Sequence, residues 1–261
     1  MDKEKLKKLG SDPKYISGIY NYCDRWCERC PFTNRCLNYE ISEEQFKDPE
    51  SRDLNNELFW QKLSETFQAT LELVNDMMQE QGIDIDSDDI EAIKKEEENI
   101  REIVNNHPLV VSAKEYTDMV TGWFDSAEDL FLEKEIDLNK KVTLDLPNEN
   151  PDKEAAAILD AVDVITWYLH FIQVKLMRAL HSELEDRFEL PDGFPKDSDG
   201  SAKVALIAID RSIAAWGNLL KYFPDQEDEL LNILVRLEQL RRNAEKVFPN
   251  ARAFIRPGFD E

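Results

Sequence analysis

Glycine and proline are scarce, with 8 and 11 residues in a chain of 261. Sandwiches and propellers need a turn residue roughly every ten positions, so they are disfavoured and helices become the default. Basic residues are also few: 32 Lys and Arg stand against 55 Asp and Glu, a net charge of -23. Such a field repels phosphate backbones and anionic head groups, which excludes bulk nucleic-acid binding and argues against a membrane surface. No apolar run reads as long enough to span a bilayer. Met1 to Gly10 alternates Lys with Leu and lacks the apolar stretch of a secretory signal, so a cytoplasmic, reducing location is expected. What remains is 42% apolar and 10% aromatic, enough to build a core and too much for wholesale disorder.

Charge is unevenly placed. Residues 1 to 36 and 236 to 261 are net basic, while the middle carries the whole acidic excess. We expect the basic ends to dock on the acidic body or on an acidic partner.

The four cysteines all fall between Cys23 and Cys36. That crowding is unlike the framework of a secreted domain, and in a reducing compartment clustered thiols are metal ligands before they are disulfides. Cys23, Cys27, Cys30 and Cys36 give the spacing C-x3-C-x2-C-x5-C. A helix over residues 16 to 29 would put Cys23, Cys27 and Cys30 on one face. Pro31 then disfavours helix at Cys30 and turns the chain, and the loop is long enough to return Cys36 to the same point.

Two centres suit such a set. Tetrahedral zinc holds its sulfurs roughly 3.8 Å apart, whereas cysteines on successive helical turns start about 5–6 Å apart at Cβ. A 4Fe-4S cubane, whose thiolates bind different irons, takes the wider spread, and the second CxxC knuckle usual in zinc ribbons is absent. Arg25, Arg29 and Arg35 are placed to offset the negative charge of either centre, and Trp26 and Phe32 to shield it. Unliganded or redox-paired thiols are the third reading.

The run Cys27-Glu28-Arg29-Cys30-Pro31-Phe32-Thr33-Asn34-Arg35-Cys36-Leu37-Asn38-Tyr39 resembles the cluster segment of the WhiB-like iron-sulfur regulators, C-x2-C-P-x4-C followed by Leu and an aromatic. The resemblance covers about thirteen residues and implies a 4Fe-4S cluster held by Cys23, Cys27, Cys30 and Cys36. The regulators' Gly-Trp turn and basic DNA-reading tail have no counterpart here, so DNA binding is not implied. The layout is also similar to that of uncharacterised bacterial proteins with a cysteine-rich N-terminus, which implies no activity. Cys23 to Cys30 matches the C-x3-C-x2-C spacing of radical SAM enzymes too, but Arg29 stands where an aromatic is usual and no alternation of strands and helices follows.

The sequence divides into a cysteine-rich metal-binding module at 1–40, a helical bundle at 41–248 and a C-terminal tail at 249–261. Residues 41 to 53 read as a polar connection. Leu58, Leu63, Phe67, Leu71, Val74 and Met78 mark a helix that stops at Gly82. Helices are then expected from Asp89 to Asn105, from Ser112 to about Asp137, over 153–189, over 201–222 and over 226–247, with a loop at Val142 to Pro151 and a break at Pro191 to Pro195. Asp84, Asp86 and Asp88 alternate like the start of a calcium loop, but Asp89 replaces the turn glycine and Lys95 the twelfth ligand, so the EF-hand reading fails. The fold class is all-α, a bundle of about five or six antiparallel helices with a small metal module.

The long central helix carries Ile158, Ile165, Ile172, Leu176 and Leu180 on one face and Trp167, Phe171 and Val174 on another, so it is expected to be surrounded. Asp160, Asp163, His170, Lys175, Arg178 and His181 interrupt it, and Asp210 and Arg211 interrupt the next. No Glu-x-x-His pair occurs, so a bundle metal site is disfavoured against an ion-pair network of Asp163 or Asp210 with Arg178 or Arg211. His107 before Pro108 reads as a loop histidine. No nucleophile triad, phosphate loop or dinucleotide signature is present, so whether the chain is an enzyme stays open, with a pocket at Asp163, His170 and Asp210 as that alternative. The expectation is a metal-binding protein, with a 4Fe-4S cluster, acting with a protein partner in redox sensing, electron transfer or partner recognition. The alternative is an acidic interaction scaffold with a structural zinc site made of the same four cysteines.

Overall fold

The computed structural model describes residues 3–82, 87–144, 150–185 and 196–260. Among them every regular element is helical. Nine α-helices are present in these residues: α1 (Lys3–Gly10), α2 (Leu37–Gln45), α3 (Glu57–Gln81), α4 (Ser87–Asn105), α5 (Pro108–Ser126), α6 (Glu128–Leu144), α7 (Pro151–Glu185), α8 (Asp197–Tyr222) and α9 (Glu227–Val247). The all-α class holds; the helix number exceeds the expected five or six. The lysine-rich lead is itself a helix, and the polar connection at 41–53 contains the end of α2 and a 3-10 turn at Pro49–Arg52. The single helix expected from Ser112 to Asp137 is two. Ala127 ends the first with its N–H bonded to the Phe124 carbonyl at 3.1 Å, is fully buried, and is followed at once by Glu128 and Asp129 in the first turn of α6. Asp84, Asp86 and the Pro191 to Pro195 break lie outside the described residues, as do residues 145–149 of the expected loop.

Packing groups the chain into two compact units, Met1–Glu98 with Ile255–Glu261, and Asn99–Phe254. The expected boundaries at 40 and 248 rest on composition; the packing units change at 98 and 254.

The second unit has its core between α7 and α8. Ile158, Ile165, Tyr168, Ile172 and Leu176 are buried along α7, and small residues of α8 (Ala202, Ala205 and Ala208, with Ser201 and Ser212) let the two backbones come close, with Leu206 and Ile209 filling the seam. Each such aliphatic side chain contributes about 1.5–3 kcal/mol relative to exposure. Inside this core Trp216 Nε1–H donates to Tyr116 Oη at 3.2 Å, both rings fully buried. Desolvation raises the Tyr116 phenol to about 12.

Helix α7 departs from expectation twice. Its second apolar face is open, with Val174 at 58% and Trp167 at 36% exposure, so the helix is not surrounded. It is also long and apolar enough, by length and composition, to cross a membrane, contrary to the expectation that no such run exists. Its buried stripe packs on α8, α5 and α6 within the unit.

In the first unit α3 runs from an Asn56 cap, whose side chain accepts the Leu58 N–H at 3.0 Å, to Gly82 in the left-handed region at φ 66°. The N-terminal lysines pair with nearby acids: Lys5 with Glu44, Lys14 with Glu40 at 2.9 Å and Lys7 with Asp76 at 4.0 Å. In the second unit Arg252 pairs with Asp210 at 2.6 Å and with Glu245 at 2.9 Å. These basic residues near the two chain ends are thus met by acids inside their own unit.

Candidate metal centre

The cysteine segment is not the helix expected over residues 16 to 29. Short 3-10 turns occupy Ile19–Asn21, Cys27–Arg29 and Thr33–Arg35. The cause is local. Arg25 takes a left-handed backbone, φ 60°, which costs a non-glycine residue about 1 kcal/mol or more. The Asp24 carboxylate accepts the Trp26 N–H at 3.2 Å, an Asx turn that competes with helix. Trp26 at φ -84° and ψ 74° then makes an inverse γ-turn, closed by the Cys27 N–H on the Arg25 carbonyl at 3.0 Å. Cys30 is extended ahead of Pro31, as the proline demands, and Cys36 is extended ahead of α2. The Ile16 N–H donates to the Arg35 carbonyl at 3.0 Å and closes the whole loop, with Ile19 buried beneath it.

These turns bring all four thiols to one cavity. Cys23, Cys27, Cys30 and Cys36 line it together with Ile19, Tyr20, Trp26, Tyr39 and Phe259, and its volume is about 20 Å³. Each cysteine is half-buried and none is in a disulfide. Burial, and after it the nearness of the Cys23, Cys36 and Cys30 sulfurs and of Glu28, pushes the Cys27 thiol up to about 11. The Cys23, Cys30 and Cys36 sulfurs are thus near enough to Cys27 to oppose its ionisation, an effect that a cation held among them would reverse.

The surroundings are partly set for thiolate. The Phe32 N–H donates to Cys30 Sγ at 3.4 Å, and Cys23 Sγ donates to the Tyr20 carbonyl at 3.6 Å. The Arg29 guanidinium lies over the Trp26 ring, 3.9 Å from its centroid, while Arg25 and Arg35 are exposed nearby in sequence. Four soft donors in one apolar cavity are the ligand type of a zinc ion or a cubane, and among the described residues no three of these sulfurs lie within 4.8 Å of one another, wider than the roughly 3.8 Å that tetrahedral zinc requires. Because the thiols sit on turns rather than on successive helical turns, the Cβ separation expected for a helix no longer discriminates between the two.

The polar residues of the second unit do not converge as the sequence suggested. Asp163 and His170 are exposed on α7, and Asp210 is engaged by Arg252 and, at 3.5 Å, by Arg241. Arg178 pairs with Asp197 at 2.8 Å, and Arg211 donates to the Tyr168 hydroxyl. These pairs are about one third exposed, so the ion pairs of Arg178 and Asp210 are not buried. His107 is the cap of α5, its Nδ1 accepting the Leu109 N–H at 3.2 Å. A wider cavity in this unit is lined by Arg101, Met177, Arg178, His181, Ser182 and Asp197, where Ser182 donates to Asp197 at 3.0 Å and His181 lies 3.2 Å from Glu185.

No known family, curated protein or solved structure matches this chain. The site is therefore read from its own chemistry. One of its residues was missed by sequence reasoning: Phe259, more than two hundred positions from the thiols, lines their cavity. Its one sequence signal is the turn pair Pro257-Gly258 just before it.

Proposed function

We propose that Cys23, Cys27, Cys30 and Cys36 hold one 4Fe-4S cluster, and that the protein acts in redox sensing, electron transfer or partner recognition. The observation that carries this reading is the shared cavity of the four thiols. The cluster supplies one-electron chemistry when bound, and the protein supplies four sulfur donors, an N–H···S bond from Phe32 to Cys30 and an apolar wall of Ile19, Trp26 and Phe259. The likeness of Cys27 to Tyr39 to the WhiB-like cluster segment supports iron-sulfur over zinc, and so does the lack of a second CxxC pair. In this reading the remaining helices form an antiparallel bundle that carries the module in a reducing compartment such as the cytoplasm, with a protein rather than nucleic acid as partner, given the charge of -23.

A second reading, a structural zinc site of four cysteines on an acidic scaffold, gains from one observation. The thiols stand on 3-10 turns and extended residues, so the sulfurs, no three of which lie within 4.8 Å of one another, could draw in to zinc distances without breaking a helix. Oxygen-free purification with metal and sulfide analysis separates the two. The cluster gives brown protein with broad visible absorption, about four irons and four sulfides per chain, and loss of both in Cys27→Ser. Colourless protein with about one zinc per chain selects the scaffold. Protein with neither, after reconstitution with iron and sulfide or with zinc, removes both.

A further inference from the structure

The thiol cavity is closed by a piece of chain from the far end of the sequence. Arg256 to Asp260 form a turn in which the Phe259 and Asp260 N–H groups both donate to the Arg256 carbonyl at 3.2 Å. The Arg256 guanidinium pairs with Asp260 at 2.9 Å, with side chains only 15% and 22% exposed, and lies 4.9 Å from the centroid of the Phe259 ring. The turn is thus a self-contained clamp around one aromatic side chain. That side chain is directed at the site: Phe259 meets Phe32 edge-on, centroids 5.1 Å apart at 84°, and lines the cavity with the sulfurs.

Its seat is shaped for glycine. Gly258 has φ 75°, and a Cβ there would come within 2.8 Å of Ile16 Cδ1 and 3.2 Å of Ile19 Cδ1. Ile16 is the residue whose N–H closes the cysteine loop on Arg35, and Ile19 forms part of the cavity wall. A side chain at 258 would therefore strain the backbone at its positive φ and press on the side-chain ends of the same two residues that frame the thiols. The contact between turn and module includes the Phe259 and Phe32 rings, two isoleucines and a glycine, and an Arg256–Asp260 ion pair braces the turn itself. Close packing and desolvation contribute to holding such a seat.

We infer that the Arg256–Asp260 turn is a wall of the thiol site that sets the access of small oxidants, chelators and thiol reagents to the four sulfurs. The functional meaning of this cover rests on the proposed metal reading, but the cover itself is testable on thiols alone. Exclusion of water and small solutes by Phe259 would slow both the loss of a bound centre and the modification of its ligands.

The experiment uses the full chain as wild type, Phe259→Ala, Gly258→Val and Phe259→Leu. Metal-stripped, reduced protein is treated with iodoacetamide, and labelling of each cysteine is followed by peptide mass spectrometry, with helix content checked by circular dichroism. We expect F259A and G258V to raise the labelling rate of the four cysteines by about tenfold, and F259L, which keeps an apolar plug, by no more than about twofold. Equal rates in wild type, F259A and G258V at unchanged helix content would overturn the cover. Should F259A lose helix content, Asp260→Asn takes its place: it loosens the clamp without removing a ring, a rise of about threefold supports the inference, and no rise overturns it. In metal-loaded protein the same variants should release iron or zinc to a chelator faster by a similar factor. If wild type takes up neither metal, the metal reading fails while the labelling rates still decide the cover.

Discussion

At the scale of single residues, two side chains are held away from their ordinary chemistry by burial, with different consequences. The Cys27 thiol is pushed up to about 11, so this one side chain is protonated at neutral pH and would have to shed its proton to ligate a metal. His107 goes the other way: desolvation holds its imidazole below the ordinary 6.5. Its neutral Nδ1 is needed, because it accepts the Leu109 N–H that starts α5. The unfolded chain therefore binds more protons than the folded one near and below pH 6.5, and stability falls as pH drops through that value toward the lower folded-state pKa. Urea unfolding at pH 5.5 and 7.5 should show this loss in wild type and a smaller one in His107→Asn, whose amide oxygen caps without titrating. His107→Ala, with no cap at any pH, should cost about 0.5–2 kcal/mol at pH 7.5. An unchanged pH dependence in H107N would remove His107 as its source.

At the scale of elements, burial decides which face of a helix matters. Leu176 is fully buried on α7 and Val174, two residues earlier, is 58% exposed. Leu176→Ala should cost about 2–5 kcal/mol in urea unfolding. Val174→Ala should stay within about 0.5 kcal/mol, and an equal loss in both would mean that the open face of α7 is covered in solution. The stripe from Ile158 to Leu180 was legible in the sequence because a buried face repeats with the helical period. So were the stops at Gly82 and before Pro108, where a residue type enforces the end. The split at Ala127 was not, since an alanine carries no turn signal and its burial is a tertiary fact. In the cysteine segment, residue identity and spacing pointed to the candidate ligands, but not to the backbone that gathers them. Asp24 and Arg25 divert the chain through side-chain competition and a left-handed residue, neither of which leaves a periodic trace. The partners of Arg178 and Asp210 escaped prediction for a similar reason: ion pairs depend on which helix faces which.

At the scale of the whole molecule, two units share one chain. Since the candidate ligands and the turn at Arg256–Asp260 belong to one unit, removal of its metal should act locally. Hydrogen exchange with and without chelator should quicken over Ile16–Tyr39 and Ile255–Asp260, while the buried stretches of α7 and α8 stay protected. Equal quickening of α8 would show that the two units unfold together. The order of the chain adds a temporal consequence. The cavity takes its cysteines from before Asn99–Phe254 and its last aromatic wall from after it. At a synthesis rate of about 5–20 residues per second, Cys36 leaves the ribosome on the order of ten to forty seconds before Phe259 is made. Under the proposed metal reading, a cup offered to a nascent-chain loading factor would still lack one side, and the cavity around the sulfurs is completed only once the polypeptide has been born.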